Sequence, residues 1–378
     1  MVLSSALRIA LTTVCIFFAG PATAATESFA PIMPLAPTSL LLDVSSAGER
    51  VVAVGERGHI LYSDDRGDSW QQARVPTTQM LTSVYFIDDK HGWAAGHDGL
   101  ILASDDAGSS WRIQRDGIAA QQQANLEQRE EAYRLREQLE LELAEAGVEQ
   151  LAELELALEG AEMDLEDADL ALAEPPFASP LLDIWFQDRE RGWAVGAFGT
   201  LLSTRDGGRH WSSEAHAIDN PDELHLNAIA GDSLGRVLIA GESGLLFRST
   251  DGGNNWEAIE TFYDGSWFGA VYSPASKALL VFGLRGQLYR SQDFGLQWTP
   301  LDSGFEMTLA GGSASPSGEV VIVGAVGAVL HSTDGGYSFQ HRMLADRLSL
   351  SSGLQHGERL ILVGQGGVRG LDAGAEHD

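Results

Sequence analysis

The chain has 378 residues, 44% hydrophobic and 21% charged, the balance of a folded globular protein. Its 54 acids against 24 Lys and Arg leave a net charge of −30. That excludes a general nucleic-acid binder, which needs a basic footprint, and opposes adhesion to an anionic membrane surface. The 43 glycines beside 12 prolines, without a triplet period, point to many tight turns between short strands.

The first element reads as a leader. Arg8 precedes an apolar run from Ile9 to Ala19, and Ala22 and Ala24 form a small-residue cleavage pattern before Ala25. Residues 1–24 are therefore expected to be a signal peptide, and the mature chain to be exported, periplasmic or lumenal. Cys15, the one cysteine, lies inside this leader, so no disulfide and no thiolate site is expected in the mature chain.

A repeat follows. The pattern Ser/Thr-x-Asp-x-Gly-x-x-Trp/Phe occurs six times, with Asp65 and Trp70, Asp106 and Trp111, Asp206 and Trp211, Asp251 and Trp256, Asp293 and Trp298, Asp334 and Phe339. Before each box lies an apolar stretch interrupted by Gly-x-x-Gly. Seven such motifs begin at Gly55, Gly96, Gly196, Gly241, Gly283, Gly324 and Gly364, and the last has no box after it. Each unit of about 42 residues reads as four strands, the second and third joined by a two-residue hairpin at the Gly-x-x-Gly. Seven units predict an all-β, seven-bladed propeller. The seventh blade lacks a fourth strand, and the segment from about Ser28 to Leu35 is expected to supply it and close the ring. The box residues are expected to be structural: Asp as acceptor for turn N–H groups, Gly for its backbone freedom, Trp as packing between sheets.

The interval between the second and third boxes is 100 residues instead of about 42. From Ala119 to Glu174 the composition turns to Ala, Leu, Glu and Gln. Leu151, Leu154, Leu158, Ala161, Leu165, Ala168 and Leu172 keep a 3-4 alternation, and Leu135, Leu139, Leu143 and Ala146 form the expected facing stripe. This predicts an antiparallel coiled-coil hairpin, turning near Gly147, with helices of about 40 Å. It carries 17 acids and three arginines. The expected organisation is 1–24 signal peptide, 25–117 closing strand and blades one and two, 118–176 hairpin, 177–370 blades three to seven, 371–378 disordered tail.

Strand-four-to-strand-one crossings emerge on the same face as the Gly-x-x-Gly turns, so the hairpin and those turns should share a face, opposite the boxes. Candidate partner-binding residues there are Arg57, His97, Asp98, Glu242 and Arg285 at the turns, and Glu137, Glu145, Glu149 and Glu153 on the hairpin. Glu56, Asp98 and Glu242 could serve as glycosidase carboxylates, and Arg57 and Arg285 could bind an anion, but the set is scattered around the ring. No Gly-x-Ser-x-Gly, Walker or His-Glu-x-x-His pattern occurs. No catalytic residue, cofactor or metal is expected.

Gly92-Trp93-Ala94-Ala95-Gly96 and Gly192-Trp193-Ala194-Val195-Gly196, followed by Gly-x-Leu/Ile-x-x-Ser/Thr and the boxes, resemble the photosystem II stability/assembly factors of chloroplasts and cyanobacteria, within the wider Asp-box, sialidase-like class. The resemblance implies a lumenal seven-bladed propeller that acts as an assembly factor without catalysis. Similar exported proteins in non-photosynthetic bacteria imply an accessory role beside resistance-nodulation-division exporters. A sialidase arginine triad cannot be placed. The expectation is a non-enzymatic exported factor that docks on a membrane protein complex, possible partners being such an exporter first, photosystem II in a photosynthetic host second, and a glycan third. In a photosynthetic host the location would be the thylakoid lumen.

Overall fold

The computed structural model describes residues 29–374; the expected leader lies outside them. Six antiparallel sheets of four strands and one of three follow one another along the chain. The innermost strand of each comes first in sequence: Leu41–Ala47, Leu81–Phe86, Leu181–Phe186, Leu226–Gly231, Trp267–Ser273, Leu309–Ala314 and Leu350–His356. Each inner strand packs beside the next, the first beside the seventh, and all seven line one central channel. Second strands such as Gly192–Gly196 and Val320–Gly324 are buried end to end, which is why they read as unbroken apolar runs. Fourth strands such as Gln71–Gln72 and Ser212–Ser213 are short and exposed.

The core lies in the seams between sheets. The box aromatic of one sheet packs into the seam with the sheet before it, as Trp111 does in the cluster with Val52, Val54 and Ile60 of the first sheet; within its own sheet Trp111 stands edge-on to Phe86 at 6.0 Å, and Trp211 to Phe186 at 5.8 Å. The box serine or threonine, to which the sequence assigned no role, accepts the box glycine N–H in all six copies, as from Gly67 to Ser63 Oγ at 2.8 Å. The residue before that glycine is left-handed in every box, which explains Gly-Gly in three of them.

The Gly-x-x-Gly turns differ from expectation. Only the seventh is a two-residue hairpin, with Gly364 paired to Gly367. In the other six the loop is one residue longer, as in Glu56–Gly58, and the third residue of the motif is left-handed: Arg57, Asp98, Phe198, Ser243, Arg285 and Val326. The first glycine is extended, with φ −177° at Gly55. It is small because a Cβ at Gly55 or Gly96 would lie 2.2 Å from the carbonyl oxygen of Leu40 or Met80. Each inner strand also carries a bulge at its start, as between Leu41 and Asp43.

The predicted closing strand is not found. Among the described residues of that segment, Ala30 N donates to Val75 O, and Met33 N donates to Gln72 Oε1, so it runs along the outer edge of the first sheet. Among the described residues the seventh sheet has three strands. Its last strand, Gly367–Asp372, includes the first two residues of the expected tail.

The insert is a helix pair, α1 (Gly117–Glu145) and α2 (Leu151–Ala173), packed antiparallel between the second and third sheets. The α2 stripe faces α1, with Ala161 and Ala168 fully buried. The α1 stripe is shifted: Ala132 and Leu139 are buried, Arg136 is half-buried between them, and Leu135 is 43% exposed. The expected Leu135–Leu139–Leu143 spacing is 4-4, which drifts off a straight seam, whereas Ala132, Arg136, Leu139 and Leu143 keep the heptad rhythm.

Candidate functional site

The turns are fixed by one repeated contact. The first residue between the two glycines donates its N–H to the residue leading into the inner strand: Glu56 to Leu40 O, His97 to Met80 O, Ala197 to Pro180 O, and so on to Gln365 and Ser349 O. Side chains on this face are therefore held at set positions. Arg57 and Arg285 are exposed, on the first and fifth sheets, without an ion pair or hydrogen bond among the described residues. The three acids proposed as a carboxylate set do not act together. Glu56 Oε1 accepts Leu40 N at 3.4 Å, Asp98 Oδ2 accepts Gln79 Nε2, and Glu242 Oε2 accepts His225 N at 3.0 Å, each within its own sheet. His97 is half-buried beside Asp98.

The helix pair rises from this face, at the second turn. Gly117, the first residue of α1, lies so close to that turn that a Cβ would meet Asp98 O at 2.1 Å. Arg115 Nη1 donates to Gly99 O at 2.6 Å, and Asp116 caps α1 by accepting Ala119 N at 3.0 Å. The returning chain places buried Ala178 against the same Gly99. Both feet of the arm are thus clamped to one turn. Glu137, Glu145, Glu149 and Glu153 are all exposed; Glu137 accepts the Tyr133 hydroxyl at 3.1 Å, and the other three surround the distal bend. Arg129 and Asp169 tie the helices together at 2.5 Å. On the outer side of α2, Leu156, Met163 and Leu170 recur every seventh residue at 61–70% exposure.

An exposed aromatic step at the base of the arm was missed by the sequence reading. Phe177 and Phe198, 63% and 52% exposed, meet edge-on at 6.0 Å, and Phe198 meets His225 at 5.1 Å. The available signal was Phe198 itself, a bulky apolar residue at a turn position filled elsewhere mostly by polar ones.

The channel holds a second missed group. Asp43 and Asp183 lie one residue past the bulge in their inner strands. Asp43 accepts Val44 N and, across the seam, Val84 N, both at 2.8 Å. Asp183 accepts Ile184 N and Ser83 Oγ at 2.8 Å and Ile229 N at 2.9 Å, bridging three sheets. Burial pushes both carboxyls up, Asp183 to about 7, with the charge of Asp43 adding to the latter. The signal was the recurrence of Leu-Leu-Asp-Val and Leu-Leu-Asp-Ile at matching places. The box aspartates behave oppositely: the Ser69 hydroxyl and N–H hold Asp65 down at about 2, and the His210 N–H and ring hold Asp206 at about 2. Among the described residues, no cluster of three or more His, Cys, Asp or Glu could hold a metal, and no helix is long and apolar enough to cross a membrane.

The profile of the family described as photosynthesis system II assembly factor YCF48 fits residues 62–136 and 166–304, more than half of the chain. A photosystem II assembly lipoprotein Ycf48 of Synechococcus sp. (strain CC9902) is 42% identical over 83 residues, 22% of this chain and 24% of that protein. The matched stretches cover under a quarter of the length of the curated relatives. Among solved structures, YCF48 bound to a D1 peptide superposes with a TM-score of 0.58 at 16% identity, over 90% of this chain and 94% of that one. The WD40 β-propeller domain of Doa1 superposes at 0.54 and 13% identity, over 91% and 95%. Those likenesses show a β-propeller fold. With seven glycine turns, six boxes and a profile match over more than half its length, the chain belongs to the YCF48 family of photosynthesis system II assembly factors.

Proposed function

We propose that the protein is a non-catalytic, exported seven-bladed propeller that assists assembly of a membrane protein complex, docking through its turn face and acidic coiled-coil arm. The carrying observation is that the arm is clamped at both feet to the turn face, beside the exposed Phe177–Phe198–His225 step. A rigid acidic lever next to an aromatic step suits a partner segment that is basic and carries apolar side chains. The exposed Leu156, Met163 and Leu170 give the outer face of the arm a use that stability alone does not.

Family membership favours a photosystem II type of complex over an exporter, for which no comparison speaks. A relative holds a D1 peptide, which supports a segment of a membrane subunit as the bound element here. The test is a crosslinked pull-down from host membranes with the full chain and with 119–174 replaced by a Gly/Ser linker. Capture of a photosynthetic reaction-centre subunit by the full chain, lost on deletion and weakened by salt, is the expected result. Capture of an exporter subunit, or equal capture by both forms, would refute the partner or the arm's part in docking.

A further inference from the structure

Six of the seven seams between sheets are filled by a box aromatic, and the seventh is not. Trp70, Trp111, Trp211, Trp256, Trp298 and Phe339 each pack into the seam with the preceding sheet. The apolar cluster between the sixth and seventh sheets is aliphatic, Val321, Val323, Val329, Leu344, Leu350, Leu360 and Leu362, and beside it His331 Nε2 meets Gln355 Oε1 across the seam at 2.5 Å. The motif that would supply the ring is absent. Ten residues past the first turn glycine stand Asp65, Asp106, Asp206, Asp251, Asp293 and Asp334 in the six boxes, and Gly374 in the seventh unit.

A cavity of about 560 Å³ opens at this place, lined among others by Val329, His331, Gln340, Gln355, Leu360 and Ala373. Gln355 is the sixth residue of its inner strand, where Phe86 and Phe186 stand against Trp111 and Trp211 in the second and third sheets. Beside the cavity runs the edge strand Gly367–Asp372. Its two-residue turn makes Gly364 and Gly367 a hydrogen-bonded pair, so alternation along the ladder points the N–H groups of Val368, Gly370 and Asp372 outward. No backbone partner meets that edge among the described residues. Among the described residues, an open strand edge and a seam without an aromatic ring thus lie side by side.

We propose that this seam is a binding site for an extended peptide segment of a partner protein, one that adds a fourth strand antiparallel to Gly367–Asp372 and inserts an aromatic ring between the sixth and seventh sheets. The chain itself shows the form of the occupant. In the second sheet Trp111 enters the seam and Arg112–Arg115 follows at once as the fourth strand. The main chain supplies the pairing, and the ring in its pocket supplies selectivity. Two histidines, two glutamines and Arg342 are among the described cavity-lining residues, so this site differs in chemistry from the acidic arm.

The probe is a fluorescein-labelled peptide of residues 104–115 of this chain, titrated into the full-length protein and followed by anisotropy. A matched peptide carrying Trp111→Ala tests the ring without altering the protein. Saturable binding that weakens about tenfold or more without the ring is expected, the loss typical of a buried aromatic anchor. In the protein, Ala373→Trp should fill the cavity and abolish binding at unchanged melting temperature, and Gly370→Pro should weaken it by removing an edge donor. The arm-deleted protein should bind as well as the full chain, which separates this site from the docking face. Absence of binding below about 1 mM, equal affinity for both peptides, or unaltered binding to Ala373→Trp would overturn the proposal. Concentration-dependent dimerisation lost in Ala373→Trp would assign the seam to a second copy and overturn it as well.

Discussion

Replacing Asp183 with Asn tests the channel clamp and its electrostatics together. The folded carboxyl titrates near pH 7 and the unfolded one near 3.8. Between those values the folded chain holds a proton that the unfolded chain has released. Stability from this group therefore falls as pH rises through that window and is level above it. The shift sets a ceiling of roughly 4 kcal/mol, at about 1.4 kcal/mol per pH unit. Asn has no proton to lose. Its oxygen can serve Ile184 N and Ser83 Oγ, but its NH2 then faces the Ile229 N–H, costing about 1–2 kcal/mol. Asp183→Asn should be about as stable as the parent at pH 5 and more stable than it at pH 8, a relative gain of about 3 kcal/mol. Urea unfolding from pH 5 to 8 at constant ionic strength measures this, and comparison with the parent cancels the general repulsion of a chain of charge −30. Parallel stability curves for the two proteins would refute the assignment.

Two further substitutions probe the repeat. Trp111→Ala removes a ring that is 6% exposed and whose Nε1 donates to Gly108 O at 3.0 Å; calorimetry should find a loss of about 3–5 kcal/mol, and a loss below about 1 would place the ring outside the seam. Gly96→Ala drives a Cβ to 2.2 Å from Met80 O and should cost about 3 kcal/mol by overpacking, whereas a neutral result would show that the turn can slide.

Local devices were readable from the residues. The box pattern encodes its own hydrogen bonds within eight residues, so six copies announce six similar turns. The unbroken apolar runs before the Gly-x-x-Gly motifs announce strands covered on both faces. The α2 stripe was legible because its seam positions are apolar. The α1 stripe was misread because Asn125, Arg129 and Arg136 occupy partly covered positions with long or polar side chains, leaving Leu135 as a false guide.

Periodicity alone determined the number of sheets, their order and the place of the helical insert, because short-range turn chemistry repeats wherever its residues repeat. Only the tertiary structure decided what meets across the ring. Asp43 and Asp183 became clamps because bulged inner strands bring their carboxyls to N–H groups of neighbouring sheets. Phe177 and Phe198 became one surface because the returning chain lands beside the third turn. The described part of the N-terminal segment follows the first sheet's outer edge, where Gln72 and Val75 satisfy it, and among the described residues no strand pairs with the outer edge of the seventh sheet. Such contacts join residues far apart in sequence, and which of several similar edges a segment takes depends on packing and hydrogen-bond partners that no local pattern carries.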